Sequence, residues 1–450
     1  MELSKTAQKK VDDLIALLIN IYAQKEPAQD SLIKFQDRYK EIHPEERPWL
    51  FEAIIHNFEV TREGIEKELQ NLVSDRGEDP VRWRQGLSAL RQKIGSPRIQ
   101  IFRNFLNTSG GLNFLLDLRA DVITAQRQSS FNLESLDQDI AHLFNLWFQG
   151  GFLFLNEITL DSPYRQIRYL KDHDLVHPMA SLEEMGSRLG SDRRCFGLYH
   201  RLMPGEPITF IEVALTRGIA TSIHEIIEKD KSSQFRRKSP DTAIFYSINN
   251  TQTGLAGVGL GKVLIFQVVE TLERSHPGIK TFATLSPIPG FWEKYLRPIL
   301  EGNKKGSFLM DQERLGGFFP EKLKQVLLEK QKANTGRSDR QLCPALLEIL
   351  SRPQWIEDAE ITHILKKPLT EIAFFYLTQE KDRRGKPLNP VANFHLGNGA
   401  TISIKNINFG ANCFSRGLLE SCGLMVNYVY SPTWLQQISR TMKSFLPWIS

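Results

Sequence analysis

FYSINNTQTGLAGVGLGKVL, residues 245–264, carries the pattern from which the architecture of the chain follows. It begins within AIFYSI, a run of β-branched and aromatic residues typical of a strand, and passes through the polar turn NNTQTG. After glycines at positions 257, 259 and 261, the amphipathic segment VLIFQVVETLER predicts a helix. The order of strand, glycine turn and helix predicts a mixed α/β domain.

The three glycines have two interpretations. Unpaired N–H groups at the start of a helix, together with the helix dipole, form an anion site, and glycine lets a phosphate approach the backbone closely. The spacing G-x-G-x-G differs from the G-x-G-x-x-G of dinucleotide-binding loops. It resembles the R/Q-x-x-G-x-G/A turn of the GNAT acetyltransferase superfamily, with Ala256 in the first position and Gly259 and Gly261 in the later two. That turn binds the pyrophosphate of coenzyme A, and the alternative is a structural glycine turn.

Residues 6–147 predict a helical region. Apolar residues recur at helical spacing, as in Val11, Leu14, Ile15 and Leu18. Proline and glycine interruptions, at 26–27, 43–44, 79–80, 96–97 and 109–111, divide the region into five or six helices. It contains no motif with catalytic or metal-binding chemistry, so its apolar positions favour a core or a subunit interface, and assembly is its expected role.

From residue 150 the pattern changes to strands and helices in alternation. Strands are predicted in GFLFLNEITL, RRCFGLYHRLM, ITFIEVALT and TAIFYSI, and helices at 181–189, 222–229 and 261–274. A mainly helical insertion is predicted around residues 291–385, before strand signals return in ANFHL and ATISIKNI. The expected fold is therefore α+β, with an all-α helical bundle over residues 1–149 and a mixed α/β domain over residues 150–450.

Composition argues against several classes of protein. The 450 residues carry 57 basic and 52 acidic side chains, and the net charge of +5 is too balanced for a nucleic-acid-binding protein but suits an anionic ligand. Apolar runs fall short of the roughly 18 residues of a membrane span, so no membrane partner is expected. The four cysteines form no C-x-x-C pair, which indicates neither a zinc site nor a disulfide framework, and a reducing, cytoplasmic location is expected.

Three further segments hold candidate catalytic side chains. Ser286, in KTFATLSPIPGF, lies at the predicted end of a strand that two prolines terminate. It is either a turn serine that satisfies a local backbone group or a site residue. His395 falls in the predicted strand NFHL before Gly397-Asn398-Gly399, a sequence typical of a hairpin turn. This histidine is either a core residue or a proton donor near neutral pH. Tyr428 and Tyr430 share one face if NYVY is a strand, either as core residues or as part of a site.

Taken together, these segments resemble the malonyl-CoA decarboxylase family. FYSINNTQTGLAGVGLGKVL, FATLSPIPGFWEKYL, RGKPLNPVANFHLGNGA and SCGLMVNYVY are similar to that family's most recognisable blocks and occur in the same order. The likeness is densest from Val213 to Tyr430. It implies a helical oligomerisation domain, a GNAT-like catalytic domain and assembly into a homo-oligomer, a dimer or tetramer. It also implies a carboxy-lyase that converts malonyl-CoA to acetyl-CoA and CO2 without a metal or other cofactor.

The resemblance assigns roles to individual residues. Ser286 and His395 match the family's catalytic serine and histidine, and Tyr430 matches an active-site tyrosine. The segment that holds the coenzyme A phosphates corresponds to Ala256, Gly257, Val258, Gly259, Leu260, Gly261 and Lys262. The family usually spells this loop G-V-E-L-G, with a glutamate implicated in catalysis, where the present chain has Gly259.

That departure leaves two other functions open. Gly259 makes the loop more like that of an ordinary GNAT-type acyltransferase, which uses acyl-CoA to acylate an acceptor. The chain is alternatively a catalytically weakened, acyl-CoA-binding regulatory protein. No sequence feature identifies an acceptor site, whereas Ser286, His395 and Tyr430 favour decarboxylation. Loss of the family's carboxylate is then expected to lower the rate.

Overall fold

The computed structural model describes residues 3–60, 62–74, 79–179, 181–227, 239–303, 308–335 and 341–431. Contacts between Cα atoms divide the chain into two compact units. Unit 1 comprises residues 1–154, 198–209 and 250–260, and unit 2 comprises residues 155–197, 210–249 and 261–450. The predicted order, a helical region followed by a mixed α/β region, is confirmed.

The helical region of unit 1 holds eight helices in its described residues, not the five or six predicted. They are α1 (Lys5–Ala23), α2 (Gln29–Lys40), α3 (Arg47–Asn57), α4 (Arg62–Ser74), α5 (Pro80–Ile94), α6 (Pro97–Phe105), α7 (Gly111–Gln128) and α8 (Glu134–Trp147). Boundaries marked by proline or glycine were predicted correctly. The two missed boundaries, after Asn57 and after Gln128, lie in sequence without proline or glycine.

The core of unit 1 is aromatic. The ring of Phe35 on α2 lies 5.5 Å from that of Phe105 on α6, and Phe105 lies 5.2 Å from Phe114 on α7. Tyr39, one helical turn after Phe35, contacts Phe114 edge-on at 5.5 Å. These rings are buried because their helical spacing places them on the inward face of each helix.

A seven-stranded sheet, most of it in unit 2, has the strand order β1-β2-β3-β4-β5-β10-β7. β5 runs parallel to β4, and β10 lies antiparallel between β5 and β7, with Tyr430 opposite both Phe282 and Ala400. β3 and β4 are buried along nearly their whole length, which is typical of strands covered on both faces. The strands are β1 (Leu153–Ile158), β2 (Arg193–His200), β3 (Thr209–Thr216), β4 (Thr242–Asn250), β5 (Thr281–Thr284), β7 (Ala400–Thr401) and β10 (Val429–Tyr430).

A second, smaller sheet continues from the end of β5. Its antiparallel strands β6 (Ser286–Pro287), β9 (Met425–Val426) and β8 (Ile407–Asn408) lie in that order, and Ser286 is opposite Val426. The chain therefore changes sheets at Leu285, between Thr284 and Ser286. The predicted strand after the glycine-loop helix is present and ends next to Ser286, but it ends at Thr284, and Ser286 begins β6 of the second sheet because the chain changes sheets between them.

Eleven α-helices lie between these strands along the described part of the chain. α10 and α12 agree with the predicted helices, and α11 does so as far as residue 227, since residues 228 and 229 lie outside the described part of the chain. α9 was not predicted. The helices are α9 (Tyr164–His173), α10 (Leu182–Arg188), α11 (Ile223–Ile227), α12 (Leu260–Ser275), α13 (Arg297–Leu300), α14 (Gln312–Gly316), α15 (Glu321–Thr335), α16 (Leu342–Leu350), α17 (Ala359–Thr378), α18 (Pro390–Gly397) and α19 (Ser415–Ser421), with a π-helical turn at Phe291–Leu296.

The predicted strand NFHL is wrong, because these residues lie in helix α18. Asn389 caps the helix by accepting hydrogen bonds from Val391 N and Ala392 N, and Pro390 occupies the first helical position. The predicted hairpin turn is wrong as well, since Asn398 ends the helix and Gly399 follows with φ +83°. Asparagine and proline in these positions outweigh the strand preference of a short apolar run.

None of the helices in the described residues is long and apolar enough to cross a membrane.

Candidate functional site

Ser286, His395 and Tyr430 form a hydrogen-bonded row within unit 2, called here the Ser–His–Tyr row. Ser286 Oγ lies 3.4 Å from His395 Nε2, and the Tyr430 hydroxyl lies 2.9 Å from His395 Nδ1. The three side chains come from β6, α18 and β10, and each is at most 6% exposed. The structure thus brings together three predicted residues that are far apart in the sequence.

Ser286 is fixed by the change of sheets that precedes it. Its hydroxyl donates to Thr284 Oγ1 at 2.9 Å, and the same oxygen accepts the backbone N–H of Tyr428 at 3.1 Å. The side-chain amide of Asn427 donates to the Thr284 carbonyl at 2.7 Å. Thr284 is fully buried, so these bonds hold both the backbone and the hydroxyl next to Ser286 in a dry environment.

His395 is positioned through the start of its helix. The side-chain oxygen of Asn389 caps α18, as described above. The side-chain nitrogen of the same residue, Nδ2, donates to the Pro289 carbonyl at 3.1 Å. Pro289 lies three residues after Ser286. One buried asparagine therefore ties the segment that carries the serine to the helix that carries the histidine.

Two aromatic rings enclose the imidazole. Tyr428 stacks on His395 with ring centres 4.7 Å apart and planes 25° apart, and Phe394 contacts it edge-on at 4.9 Å. The hydroxyl of Tyr428 is buried and has no hydrogen-bond partner among the described residues. Tyr428 and Tyr430 both face His395, which confirms that they share one side of their segment.

Burial controls the ionisation of the row. It lowers the pKa of His395 to about 3, and it raises the pKa of the Tyr430 hydroxyl. At neutral pH the imidazole is therefore uncharged. Ser286 Oγ faces Nε2 and the Tyr430 hydroxyl faces Nδ1, so each ring nitrogen of the neutral imidazole has a hydroxyl partner.

The glycine loop, residues 256–262, follows a 3-10 turn at Thr253–Leu255 and leads into α12. Gly257 has φ +78°, which only glycine adopts without strain. No described residue accepts a hydrogen bond from the N–H of Gly257 or Gly259, and a Cβ at either position would meet nothing within 4 Å. The loop thus presents open backbone at the start of a 16-residue helix, the arrangement that binds anions.

The last part of the glycine loop packs against the histidine helix inside unit 2. A Cβ on Gly261 would lie 2.2 Å from the Phe394 ring and 3.3 Å from the Asn398 side chain. The first turn of α12 therefore meets α18 next to His395, and only a glycine permits this approach. Lys262, at the next position, is exposed.

Two residues of the site, Thr284 and Asn389, were missed at the level of sequence. Thr284 is two residues before Ser286, so a strand places both side chains on one face, and that spacing was an available signal. Asn389-Pro390 is a helix-start pattern that would have moved His395 from a strand to a helix. Neither residue belongs to a motif that stands out by its chemistry.

Among the described residues, no group of three or more His, Cys, Asp or Glu side chains is placed to hold a metal ion. All four cysteines are free thiols, and Cys195, Cys343 and Cys422 are buried.

Comparison with known families matches the chain in two parts. Residues 58–148 match the malonyl-CoA decarboxylase N-terminal domain, and residues 151–446 match the malonyl-CoA decarboxylase C-terminal domain. The second match alone covers more than half of the chain.

Among curated proteins, the chain is similar to malonyl-CoA decarboxylase, mitochondrial, of Anser anser anser, with 35% identity over 340 residues, 74% of this chain and 64% of that protein. It is 36% identical over 338 residues to the Mus musculus protein of the same name, covering 73% and 64%. The chain thus spans slightly less than two thirds of the length of these relatives.

Two solved structures resemble the whole chain. The crystal structure of malonyl-CoA decarboxylase from Rhodopseudomonas palustris has a TM-score of 0.76 and 28% identity, covering 95% of this chain and 94% of that one. The enzyme of the same name from Agrobacterium vitis has a TM-score of 0.75 and 28% identity, covering 93% of each chain.

Proposed function

The chain belongs to the malonyl-CoA decarboxylase family, and on that premise we propose that it is a carboxy-lyase that converts malonyl-CoA to acetyl-CoA and CO2. The observation that carries this proposal is the buried Ser–His–Tyr row, because it joins the three residues that match the family's catalytic positions. A site that excludes water suits a reaction that turns a carboxylate into neutral CO2.

The reaction sets two requirements for the site. The bond between the malonyl carboxylate and the α-carbon breaks, and its electron pair forms the enolate of the thioester. A proton must then reach the α-carbon while the negative charge on the thioester oxygen is stabilised. Ser286 orients the malonyl group next to the imidazole, and Tyr430 holds the imidazole through Nδ1.

His395 delivers the proton after taking it up with the substrate. In the free protein its imidazole is neutral, because burial holds its pKa near 3. A malonyl carboxylate bound beside the ring supplies the missing negative charge and raises that pKa, so a proton enters from solvent on binding. After CO2 leaves, the imidazolium gives its Nε2 proton to the α-carbon and keeps its proton on Nδ1, next to the Tyr430 hydroxyl, so the ring is neutral again. One proton is consumed per turnover, as the overall reaction requires.

The direct test incubates the purified protein with malonyl-CoA and follows acetyl-CoA by mass spectrometry. We expect acetyl-CoA from the wild type and almost none from His395→Ala; His142→Ala, at an exposed histidine, serves as the matched control. If acetyl-CoA does not exceed a no-enzyme control, the proposed activity is wrong. Release of CoA only when an amine acceptor is added would instead indicate a GNAT-type acyltransferase, and binding without turnover would indicate a regulatory acyl-CoA-binding protein.

Proton uptake tests the role of His395 separately. Calorimetric titration with a non-decarboxylating malonyl-CoA analogue, repeated in buffers of different ionisation enthalpy, counts the protons taken up on binding. We expect the wild type to take up protons on binding, more of them as the pH is lowered from 7 to 5, and His395→Ala to take up about none. Equal uptake by both proteins would contradict the assignment of the proton donor.

The glycine loop is assigned to the pyrophosphate of coenzyme A. The open amides of Gly257 and Gly259, the positive end of α12 and the exposed Lys262 support this assignment. Ala256, Val258, Leu260 and Gly261 complete the loop, with Leu260 anchored in the core and Gly261 against Phe394.

Gly259 stands where the family usually has a glutamate. In this proposal, the loss of that carboxylate lowers the rate of decarboxylation. A Cβ at this position meets no atom within 4 Å, so a side chain here begins in open space. We expect Gly259→Glu to raise kcat and Gly259→Gln, which has the same shape without the charge, to leave it unchanged. If the glutamate variant is no faster than the glutamine variant, a supporting role for the carboxylate is wrong.

The helical region, residues 1–149, is proposed to be the oligomerisation domain, with residues 150–450 as the GNAT-like catalytic domain. Apolar side chains on α4 and α5 support this role, since Val73 is 74%, Val81 60% and Trp83 40% exposed. Light scattering coupled to size exclusion tests for the expected dimer or tetramer. A monomer at micromolar concentration would contradict the proposal.

The proposal includes no cofactor, because the reaction balances with substrate, one proton and the residues of the row. Activity that survives dialysis against a chelator is the expected result. A cytoplasmic location is likewise proposed, supported by four free thiols, and fractionation of the source cells tests it. The named relatives of goose and mouse are mitochondrial proteins by their descriptions.

A further inference from the structure

Arg119, on helix α7 of the helical region, binds the backbone that leads into the glycine loop. Its Nη1 donates to the carbonyl of Gly254 at 2.6 Å and to the carbonyl of Ala256 at 2.9 Å. These residues belong to unit 1, as α7 does. Arg119 is 135 residues before Gly254 in the sequence, so this contact exists only in the folded chain.

The Arg119 side chain is buried, and several contacts fix its position. It is 4% exposed, its Nε donates to Asp137 Oδ1 at 2.8 Å, and its guanidinium lies 5.9 Å from the centre of the Phe144 ring. A buried guanidinium is costly unless its donors are used, and here the carboxylate balances its charge while two carbonyls take further donors. Its rigid planar fork therefore holds the loop in one position relative to α7 and α8.

A second contact reinforces the first. A Cβ on Gly254 would lie 2.1 Å from the carbonyl oxygen of Leu116, so the chain before the loop packs directly on the backbone of α7. Leu255, between the two carbonyls that Arg119 binds, is buried. The 3-10 turn at Thr253–Leu255 is thus held against α7 both by backbone packing and by the guanidinium.

The geometry of the peptide bond carries this restraint into the glycine loop. In a planar trans peptide the carbonyl and the following N–H point in opposite directions. Because the carbonyl of Ala256 points at Arg119, the N–H of Gly257 points away from it. That N–H has no partner among the described residues, so Arg119 orients a donor that an anion can use.

We propose that Arg119 is a positioning residue for coenzyme A, which fixes the glycine loop in the conformation that receives the pyrophosphate. The role rests on the proposed function of the loop. It gives the helical region a part in substrate binding in addition to assembly. Arg119 acts through the backbone and does not touch the reacting malonyl group.

The test compares Arg119→Gln and Arg119→Lys with a matched control, Arg98→Gln. Arg98 is also a buried arginine of unit 1; it pairs with Asp139 at 2.6 Å and donates to the carbonyl of Ile55, away from the loop. Arg119→Gln should weaken CoA binding, measured by calorimetry, and raise KM for malonyl-CoA about tenfold, with kcat within about twofold of wild type. Arg119→Lys keeps the charge and should recover part of the loss, and Arg98→Gln should bind CoA as the wild type does.

A truncated substrate separates positioning from general damage. Malonyl-pantetheine lacks the pyrophosphate, so its kcat/KM should be the same in the wild type and in Arg119→Gln. Hydrogen exchange of a peptide covering residues 253–262 should be faster in Arg119→Gln than in Arg98→Gln. Melting temperatures of all variants show whether the chain folds, and Arg119→Lys keeps the test valid if the glutamine variant does not.

Three results would overturn the proposal: unchanged CoA affinity and KM in both Arg119 variants, an equal loss in Arg98→Gln, or unchanged exchange in the loop peptide. Failure of the proposed function looks different. If the wild type forms no acetyl-CoA, the affinity for CoA and the exchange data still decide the role of Arg119. If the wild type binds no CoA at all, the assignment of the loop itself is wrong.

Discussion

The Ser–His–Tyr row and the glycine loop are built in opposite ways. The row is made of side chains from β6, α18 and β10, all buried, and its properties come from burial and neighbouring hydroxyls. The loop is one continuous segment, and its open backbone amides and glycines form the proposed binding surface for coenzyme A. Side-chain chemistry depends on long-range packing, whereas backbone chemistry depends on local sequence and on whatever holds the loop in place.

The largest expected effect tests whether the two regions divide chemistry from binding. His395→Ala removes the proposed proton donor and should lower kcat about 10³-fold, within the range for general acid catalysis, while KM for malonyl-CoA changes little. Steady-state kinetics measure both constants, with His142→Ala as the exposed control. A rise in KM as large as the fall in kcat would show that the two regions are not separable.

Gly261→Ala tests the point where the loop meets the histidine helix. Its Cβ would lie 2.2 Å from the Phe394 ring, so we expect a loss of about 3 kcal/mol in the free energy of unfolding. Gly259→Ala, where the Cβ meets no atom within 4 Å, should change stability by less than about 0.5 kcal/mol. Urea unfolding measures the free energy of unfolding of both variants. Equal losses would mean that the close packing at Gly261 does not contribute to stability.

The pH dependence of stability tests whether water is excluded from the His395 imidazole in the Ser–His–Tyr row. Burial lowers the pKa of His395 from 6.5 to about 3, so as the pH falls below 6.5 the unfolded chain binds a proton that the folded chain does not. This contribution is fully present above pH 6.5, and about 2 kcal/mol of it is lost between pH 8 and pH 5. Between pH 8 and pH 5, the free energy of unfolding measured with urea should fall by about 2 kcal/mol less in His395→Gln than in the wild type. Identical losses would mean that the imidazole is solvated.

The smallest expected effects compare the two tyrosines around His395. Tyr430→Phe removes the hydroxyl that hydrogen-bonds to Nδ1 and should lower kcat about tenfold. Tyr428→Phe keeps the stacked ring and removes a buried hydroxyl without a partner in the described residues, so it should raise the free energy of unfolding by about 1 kcal/mol at unchanged kcat. A fall in kcat for Tyr428→Phe would place its hydroxyl against the substrate.

The outline of the fold was predictable wherever local signals were strong. The strand–glycine turn–helix order around residue 257 and the helices bounded by proline or glycine appear as expected, because these residues restrict the backbone by themselves. Boundaries without such residues, after Asn57 and Gln128, were missed. The short apolar run around His395 predicts a strand, but Asn389-Pro390 before it starts a helix, and the helix forms.

The sequence by itself determined that the chain holds a helical region and a mixed α/β region, that glycines open a loop at the start of a helix, and which serine, histidine and tyrosine match the family. Only the tertiary structure decided that Ser286, His395 and Tyr430 share one hydrogen-bonded row, and that burial keeps the histidine neutral. It alone brought Arg119 to the backbone of Gly254 and Ala256. The physical reason is that turns and helix starts are set by neighbours in the chain, whereas burial, pKa and long-range hydrogen bonds are set by groups that meet only when the chain folds.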